Sequence, residues 1–252
     1  MTRARPAMHG VRLGDVVLRR VGGHAFEGCV EQLATAIRLG VYPFGSMLPS
    51  ERELARRMGV SRATLREGIA ALREAGMVRT QRGRGGGTVV VFEPPAPAYA
   101  EGGLATTLAR REELLDSLVF RRVVEPGACW VASMRSKEDL LVTDEQSLLI
   151  TALQEVDQAP DAAAHRQADS RLHLAIASVT GSPKTVAAVT EVQAALHEML
   201  QRIPVLSANL EHSHRQHRAI VGAILGGDPA KARQAMEEHC DDTAALLRGL
   251  LG

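Results

Sequence analysis

The chain has 252 residues, 45% of them hydrophobic, and a formal net charge of +1. This length suffices for one large or two ordinary domains. Three scattered cysteines without a CxxC pair argue against a disulfide framework. Because the sequence also lacks an apolar run of membrane-spanning length and a signal-peptide pattern, we expect a cytoplasmic protein with no membrane partner.

Charge is unevenly distributed along the chain. Residues 1–93 contain 15 Arg, no Lys and 8 acidic residues, whereas residues 94–252 contain 15 basic and 21 acidic residues. A basic segment of this kind is typical of a nucleic-acid-binding domain. We therefore expect the N-terminal part to bind nucleic acid and the acidic remainder to have another role.

Composition and periodicity divide the chain into four segments. Residues 1–23 are weakly patterned and indicate a mobile or loosely docked arm. Residues 24–93 open with a predicted helix and form the basic domain. Residues 94–103 are a proline-rich linker, which is stiff because proline favours extended backbone. Residues 104–252 are almost wholly helical in pattern, which predicts an antiparallel bundle able to hold a ligand in its core.

Two capping signals predict a pair of short helices in the basic domain. Ser50 and Glu53 form a capping box for the first helix, which Gly59 ends. Ser61 caps the second helix, which Gly76 ends. A helix, a tight turn and a second helix make a shape that fits a DNA major groove.

The residue types around this second helix suit a groove. Arg62, Thr64 and Arg66 lie opposite its apolar face, and arginine can bridge guanine or clamp a phosphate. Two predicted strands, at 77–81 and 88–92, flank a basic, glycine-rich tip and would form a wing that contacts phosphates or a minor groove. The alternative is that this helical hairpin, with its solvated arginines, is only a surface element.

Histidine spacing in the C-terminal part suggests a metal site. Asp169 and His173 are four residues apart on one helical face, and His217 and His239 lie on two later predicted helices. An aspartate and three imidazoles can hold a divalent metal, and nitrogen ligands favour zinc, with nickel or manganese as alternatives. However, a lone buried histidine is more often a hydrogen-bonded core residue, and His214 competes with His217 for the role. Without a signal to the contrary, we interpret His165, His197 and His212 as surface residues.

Two sets of motifs resemble a known family. The stretch LPSERELARRMGVSRATLREGIAALREAGMV, with its glycine-rich wing, resembles the winged helix-turn-helix of the GntR family of bacterial transcription regulators. The segments RRVVEP at 121–126, DSRLHLAI at 169–176 and MEEH at 236–239 are similar to the FCD effector-binding domain. The predicted fold is therefore mainly α, with an N-terminal winged helix-turn-helix domain and a C-terminal antiparallel all-α helical bundle of FCD type.

The resemblance implies a homodimeric regulator, with repression as the expected mode, that reads palindromic double-stranded DNA and binds a small organic acid beside a divalent metal. The implied metal ligands are Asp169, His173, His217 and His239. The implied DNA contacts are Arg52, Ser61, Arg62, Thr64, Arg66, Arg84 and Gly85. Arg121 would clamp the carboxylate of the acid, while the alternative for it is a helical ion pair with Glu125; both can hold at once.

Departures and rival interpretations accompany this prediction. Gly68 departs from the family pattern, and mid-helix glycine costs about 1 kcal/mol relative to alanine, so we expect a softened second helix. Trp130, on the same predicted helix as Arg121, is expected to report effector binding by fluorescence.

Two other classes of protein are the alternatives. A metal-dependent hydrolase fused to a basic domain would show turnover, but no added general base is evident. An architectural DNA-binding protein would show no effector response.

Overall fold

The computed structural model describes residues 12–22, 25–81, 83, 86–93, 111–200 and 207–251. Their helices and strands are α1 Leu13–Val17, α2 Ala25–Arg38, α3 Glu51–Met58, α4 Arg62–Glu74, β1 Val78–Gln81, β2 Gly87–Val90, α5 Arg111–Lys137, α6 Thr143–Asp157, α7 Ala162–Ser178, α8 Pro183–Leu200, α9 Ser207–Leu225 and α10 Pro229–Leu251. The mainly helical architecture that we predicted is confirmed. None of the described helices is long and apolar enough to cross a membrane.

Helices α2, α3 and α4 form one core, as their apolar spacing predicts. Leu33, Leu54 and Leu65, one from each helix, are completely buried. Full burial of a leucine side chain contributes about 1.5–3 kcal/mol. At the turn between α3 and α4, Gly59 adopts a φ of +65°, a conformation that favours glycine and lets the chain reverse.

The predicted caps form, with one correction. Ser50 accepts a hydrogen bond from the Glu53 backbone N–H at 3.3 Å, and Ser61 accepts one from that of Thr64 at 3.0 Å. The Glu53 carboxylate does not reach back to complete a capping box; it binds Arg56 and Arg57 instead. An ion pair with two arginines one turn away holds this carboxylate more strongly than a single backbone amide.

A small antiparallel sheet follows α4, as the wing prediction requires. Val78 of β1 pairs with Val90 of β2, and Met47 forms an isolated bridge to Val89 that widens the sheet. The positions that we assigned to the wing tip, Arg84 and Gly85, lie outside the described residues, as does the segment 94–103 that we interpreted as a linker.

The segment interpreted as a mobile or loosely docked arm differs from that expectation after residue 11. Residues 12–22 are described, and within them α1 contacts α7 and α8 of the bundle. Val17 and Leu18 are buried in the same cluster as the core of α2. Sequence periodicity could not reveal this docking, because five helical residues are too few to show a periodic face.

Gly68 has a structural reason to be glycine. It is buried in α4, and a Cβ atom at this position would lie 3.1 Å from the Cys29 sulfur of α2. The missing side chain thus allows α2 and α4 to approach closely. The propensity cost of a mid-helix glycine is offset by this packing, which the sequence pattern of α4 alone could not indicate.

Helix α7 is the central helix of the bundle. It contacts α5, α6 and α8, and from His165 to Ser178 almost every residue is buried. A helix that is buried all round has no solvated stripe, so its sequence shows little amphipathic signal. One side of α7 faces the later bundle helices with Asp169 and His173.

The other side of α7 touches the winged domain. The Gln167 amide donates to the Arg38 carbonyl at 3.1 Å, and Arg171 donates to the Gly40 carbonyl at 3.4 Å. Gly40 has a φ of +71°, and a Cβ there would come within 3.0 Å of the Gln167 Cβ. The last turn of α2 therefore rests directly on α7.

Candidate effector and metal site

The four residues that we assigned to a metal lie together in the bundle. Each of Asp169, His173, His217 and His239 offers one ligand atom, and these atoms all lie within 4.8 Å of one another. The three histidines are buried and Asp169 is half-buried. Three helices, α7, α9 and α10, supply them. A cluster of one carboxylate and three imidazoles has the donor chemistry of a zinc or neighbouring transition-metal site.

Ring nitrogens of this cluster are unpaired in the part of the chain that the structure describes. Among the described residues, neither ring nitrogen of His217 has a hydrogen-bond partner. Its Nε2 comes 3.2 Å from Asp169 Oδ1, but without the direction of a hydrogen bond. Buried polar atoms are nearly always paired, so orphaned imidazole nitrogens beside a carboxylate fit an ion that would complete their coordination.

The pKa shifts of these residues favour the protonation states that bind a metal. Burial lowers the pKa of His217 to about 3 and the pKa of His239 well below its usual value. Burial alone would raise the pKa of Asp169, but the neighbouring His173 and His217 lower it overall. At neutral pH, His217 and His239 are therefore neutral and Asp169 is ionised, which are the forms that bind metals.

Glu125 connects the metal cluster to Arg121. Its Oε2 atom lies 2.8 Å from Arg121 Nε and 3.0 Å from His173 Nδ1, and its Oε1 accepts from Gln193 at 2.6 Å. The helical ion pair that we considered as the alternative role of Arg121 is thus present. The contact to His173 Nδ1, like that of His217, lacks the direction of a hydrogen bond, so Glu125 acts on this ring through its negative charge.

Gln216 holds a second histidine of the cluster. Its side-chain oxygen lies 3.0 Å from His239 Nδ1, so that nitrogen donates and Nε2 remains for a ligand. Sequence reasoning missed both Gln216 and Gln193, because an amide has no spacing rule that distinguishes a supporting residue from a surface one.

A cavity of about 170 Å³ opens beside the cluster. Arg121, Asp169 and His239 line it, together with side chains from α7 to α10. Arg121 is buried, and its Nη1 atom has no hydrogen-bond partner among the described residues. The guanidinium can therefore keep its ion pair with Glu125 and still donate to a ligand.

The three histidines that we interpreted as surface residues, His165, His197 and His212, all line this cavity. His165 and His197 are buried and line it. Burial and the nearby Arg166 lower the pKa of His197 to about 4. His212 does stay exposed, at 50% of its side chain, and binds Asp242 at 2.7 Å. The failure arose because α7 and α8 carry no polar stripe that would mark which face meets solvent.

His214, the competitor of His217, lies outside the four-residue cluster. Its Nε2 is 3.1 Å from His165 Nε2, and its Nδ1 is 3.5 Å from Asp157 Oδ1.

Trp130 is 44% exposed and does not line the cavity. The structure therefore does not support our prediction that its fluorescence reports a ligand bound there.

The candidate DNA-binding side chains lie on α3 and α4. Arg52, Arg62 and Arg66 are exposed, and Arg66 binds Glu51 at 2.7 Å. Ser61 and Thr64 have hydroxyls 2.9 Å apart at the start of α4. Arg52 lies on α3, whereas the other four lie at the N-terminal end of α4, which is the part of such a helix that meets base edges.

A winged helix-turn-helix joined to a bundle with a ligand-sized cavity defines a DNA-binding regulator with a sensor domain. Comparison with known families agrees with this class. Residues 27–90 match the family described as bacterial regulatory proteins, gntR family, and residues 116–242 match the FCD domain. The chain belongs to the GntR family, with an FCD C-terminal domain.

Similar proteins are regulators, not enzymes. The chain is 30% identical to the putative HTH-type transcriptional regulator RmpR of Mycobacterium gastri, over 84% of this chain and 76% of that protein. It is 31% identical to the putative L-lactate dehydrogenase operon regulatory protein of Escherichia coli, over 77% and 75%. It is 32% identical to the transcriptional repressor NanR of Klebsiella aerogenes, over 87% and 84%.

One solved structure shows the same fold at low identity. The Escherichia coli protein McbR/YncC aligns with a TM-score of 0.52 and 16% identity, over 91% of this chain and 100% of that one.

Proposed function

We propose that this regulator is a repressor that binds a palindromic operator as a homodimer and changes its DNA affinity when a small carboxylate occupies the bundle cavity beside a divalent metal. The observation that carries the proposal is the cluster of Asp169 and three buried histidines next to Arg121, in a chain that also has a winged helix-turn-helix. Metal and arginine together form a cationic site that suits a carboxylate.

The donor set supports zinc as the metal, with nickel or manganese as alternatives. Three imidazole nitrogens and one carboxylate oxygen favour these ions over magnesium and calcium, which prefer oxygen ligands. Because the cluster supplies only four ligand atoms, a metal with more than four coordination positions would still accept an oxygen of the acid.

An exposed apolar stripe on α5 supports the homodimer. Val119, Val123 and Trp130 fall on one helical face, and Val123 is 70% exposed. Contiguous apolar surface on a folded chain marks an interaction site. A second copy of the chain is the natural partner, since two-fold self-association pairs the same patch from both copies.

Substitution of Val123 by Glu tests this stripe. We expect Val123→Glu to weaken dimerisation at least about 30-fold, because the carboxylate would lose its hydration at the interface. Light scattering during size-exclusion chromatography should give twice the chain mass for the wild type and a shift toward the monomer for the variant. Leu140→Glu, at an exposed leucine outside the stripe, should leave the dimer intact. A variant that remains as dimeric as the wild type would assign the interface elsewhere.

The contact between α7 and the winged domain supports a direct route from the cavity to DNA. Helix α7 carries Asp169 and His173 on one side, and its Gln167 and Arg171 contact the end of α2 on the other. A ligand that repositions α7 would therefore shift α2 without acting through residues 94–103. Coupling of this kind requires that the ligand favours one of two arrangements.

Removal of these contacts should separate sensing from DNA binding. For Gln167→Ala combined with Arg171→Ala, we expect metal binding within about threefold of wild type but a loss of about 0.5–2 kcal/mol of coupling between acid and DNA. The measurement is operator affinity with and without acid. Arg233→Ala, which removes an exposed ion pair with Glu237 on α10, is the matched control. Full coupling in the double variant would eliminate this route.

Selection from a random DNA pool tests the DNA-binding part of the proposal. The full-length, metal-loaded protein should enrich an inverted repeat and protect two half-sites about one helical turn apart, as expected for a two-fold symmetric dimer. Affinity should fall steeply with salt. Binding without any sequence preference would instead favour the architectural interpretation.

A further inference from the structure

The cavity beside the candidate metal centre has polar groups near the cluster and a group of leucines further away; His212, Ser213, Asp242 and Thr243 line it as well. Gln193 and His239 lie at the polar end, within the hydrogen-bonded surroundings of Glu125 and the metal cluster. Two helical turns further along the same helices, Leu200 and Leu246 line the cavity. Seven residues of α-helix span about 10 Å, so the two ends are separated by roughly that distance.

Four leucines form the apolar end, contributed by three different helices. They are Leu196 and Leu200 from α8, Leu210 from α9 and Leu246 from α10. Leu196 is buried, the other three are half-buried, and all four line the cavity. Convergence of leucines from separate helices makes an apolar surface that would gain free energy by covering an apolar group.

At the polar end, the geometry fixes where an acid group would lie. Arg121 Nη1 has no partner among the described residues, and its Nε is held by Glu125 at 2.8 Å. A carboxylate there would satisfy a buried guanidinium and face the metal ligands Asp169 and His239 across the cavity. The rest of the molecule would then point toward the leucines.

We infer that the effector is a carboxylic acid with a short alkyl or single-ring aryl group, which lies against the four leucines. The inference rests on the proposed function and narrows it. The cavity of about 170 Å³ is close to the roughly 150 Å³ that holds a benzene ring in an apolar protein cavity. Ser213, Asp242 and Thr243 also line the cavity and could bind hydroxyl groups, but a sugar acid would lose the hydration of those hydroxyl groups that face the four leucines.

A dicarboxylate is the strongest competitor, because Arg166 also lines the cavity and is buried. Arg166 lies one turn before Asp169 on α7 and could receive a second acid group. The leucine end disfavours this ligand, since the second carboxylate would have to stop short of the apolar surface and leave it in contact with water. Succinate therefore distinguishes the two classes directly.

Isothermal titration calorimetry of the metal-loaded full chain with acetate, butyrate, hexanoate, benzoate, succinate and gluconate tests the inference. We expect affinity to rise about fourfold per buried methylene from acetate until the cavity is filled, with benzoate tighter than succinate or gluconate. Tighter binding of succinate or gluconate, or a flat series, would overturn the apolar assignment while leaving a carboxylate effector in place. Failure of every acid to bind would contradict the carboxylate part of the proposed function as well.

Variants at the leucine end provide an independent check. Leu246→Ser and Leu200→Ser should lower the ratio of hexanoate to acetate affinity by about fourfold or more each, because the alkyl chain would meet a hydroxyl instead of a methyl surface. Leu140→Ser, at an exposed leucine outside the cavity, should not change this ratio. An unchanged ratio in both cavity variants would place the alkyl chain elsewhere. The wild-type series decides the question even if a variant folds poorly.

Discussion

Replacement of His173 by Ala should remove the metal from the protein. The imidazole of His173 is fully buried, and its Nδ1 lies 3.0 Å from Glu125 and its Nε2 3.8 Å from Asp169. Loss of a direct ligand should cost more than the roughly 10–100-fold that changes in supporting residues typically cost in metal affinity. Elemental analysis after dialysis should find about one divalent ion per wild-type chain and almost none in the variant.

Two further variants serve as comparisons for the loss of metal in His173→Ala. His212→Ala removes an exposed histidine on the same helix as His217 and should keep the metal, since His212 binds Asp242 outside the cluster. Glu125→Gln should retain the ligands but weaken metal binding, because the negative charge 3.0 Å from His173 is removed. A chelator should also lower the melting temperature of the wild type, as expected when an ion binds only the folded state. Stoichiometric metal in His173→Ala would contradict the assignment.

Replacement of Arg62 or Arg66 by Ala should weaken operator binding strongly. Both arginines are exposed at the start of α4, where a recognition helix meets the major groove. Loss of a base contact costs about 1–3 kcal/mol, and loss of a phosphate contact lowers the salt slope by about 1. Gel-shift titrations at several salt concentrations measure both effects.

The charge partners of these arginines supply the controls. Arg73→Ala, at the exposed far end of α4, should leave affinity unchanged. Glu51→Gln should increase affinity, because Glu51 now pairs with Arg66 at 2.7 Å and competes with DNA for it. Wild-type affinity and salt dependence in both Arg62→Ala and Arg66→Ala would remove α4 from the DNA interface.

Local sequence signals predicted the winged domain well. The caps at Ser50 and Ser61 and the turn at Gly59 depend on residues within a few positions, so their physics is visible in the sequence. The exception is Glu53, whose carboxylate had competing partners in Arg56 and Arg57. Competition of that kind is decided by side-chain geometry rather than spacing.

Long-range packing accounts for what the sequence did not reveal. The burial of His165 and His197, and the supporting contacts of Gln193 and Gln216, depend on how α7 to α10 face one another. Gly68 illustrates the same limit, since its role is to admit Cys29 from another helix. Helix spacing alone predicts that Asp169 and His173 lie on one face of a helix. Their proximity to His217 and His239, on two other helices, was implied by the family resemblance.

The sensor role of the bundle is tested most directly by the operator affinity of metal-loaded wild-type protein at fixed salt, with and without a saturating concentration of the acid that binds most tightly in calorimetry. We expect the bound acid to change operator affinity about 5–150-fold, the range typical of allosteric coupling. By reciprocity, operator DNA should change the affinity for the acid by the same factor and in the same direction. Equal operator affinity in both conditions, with calorimetry proving that the acid is bound, would contradict the claim that the bundle is the sensor for the DNA-binding domain.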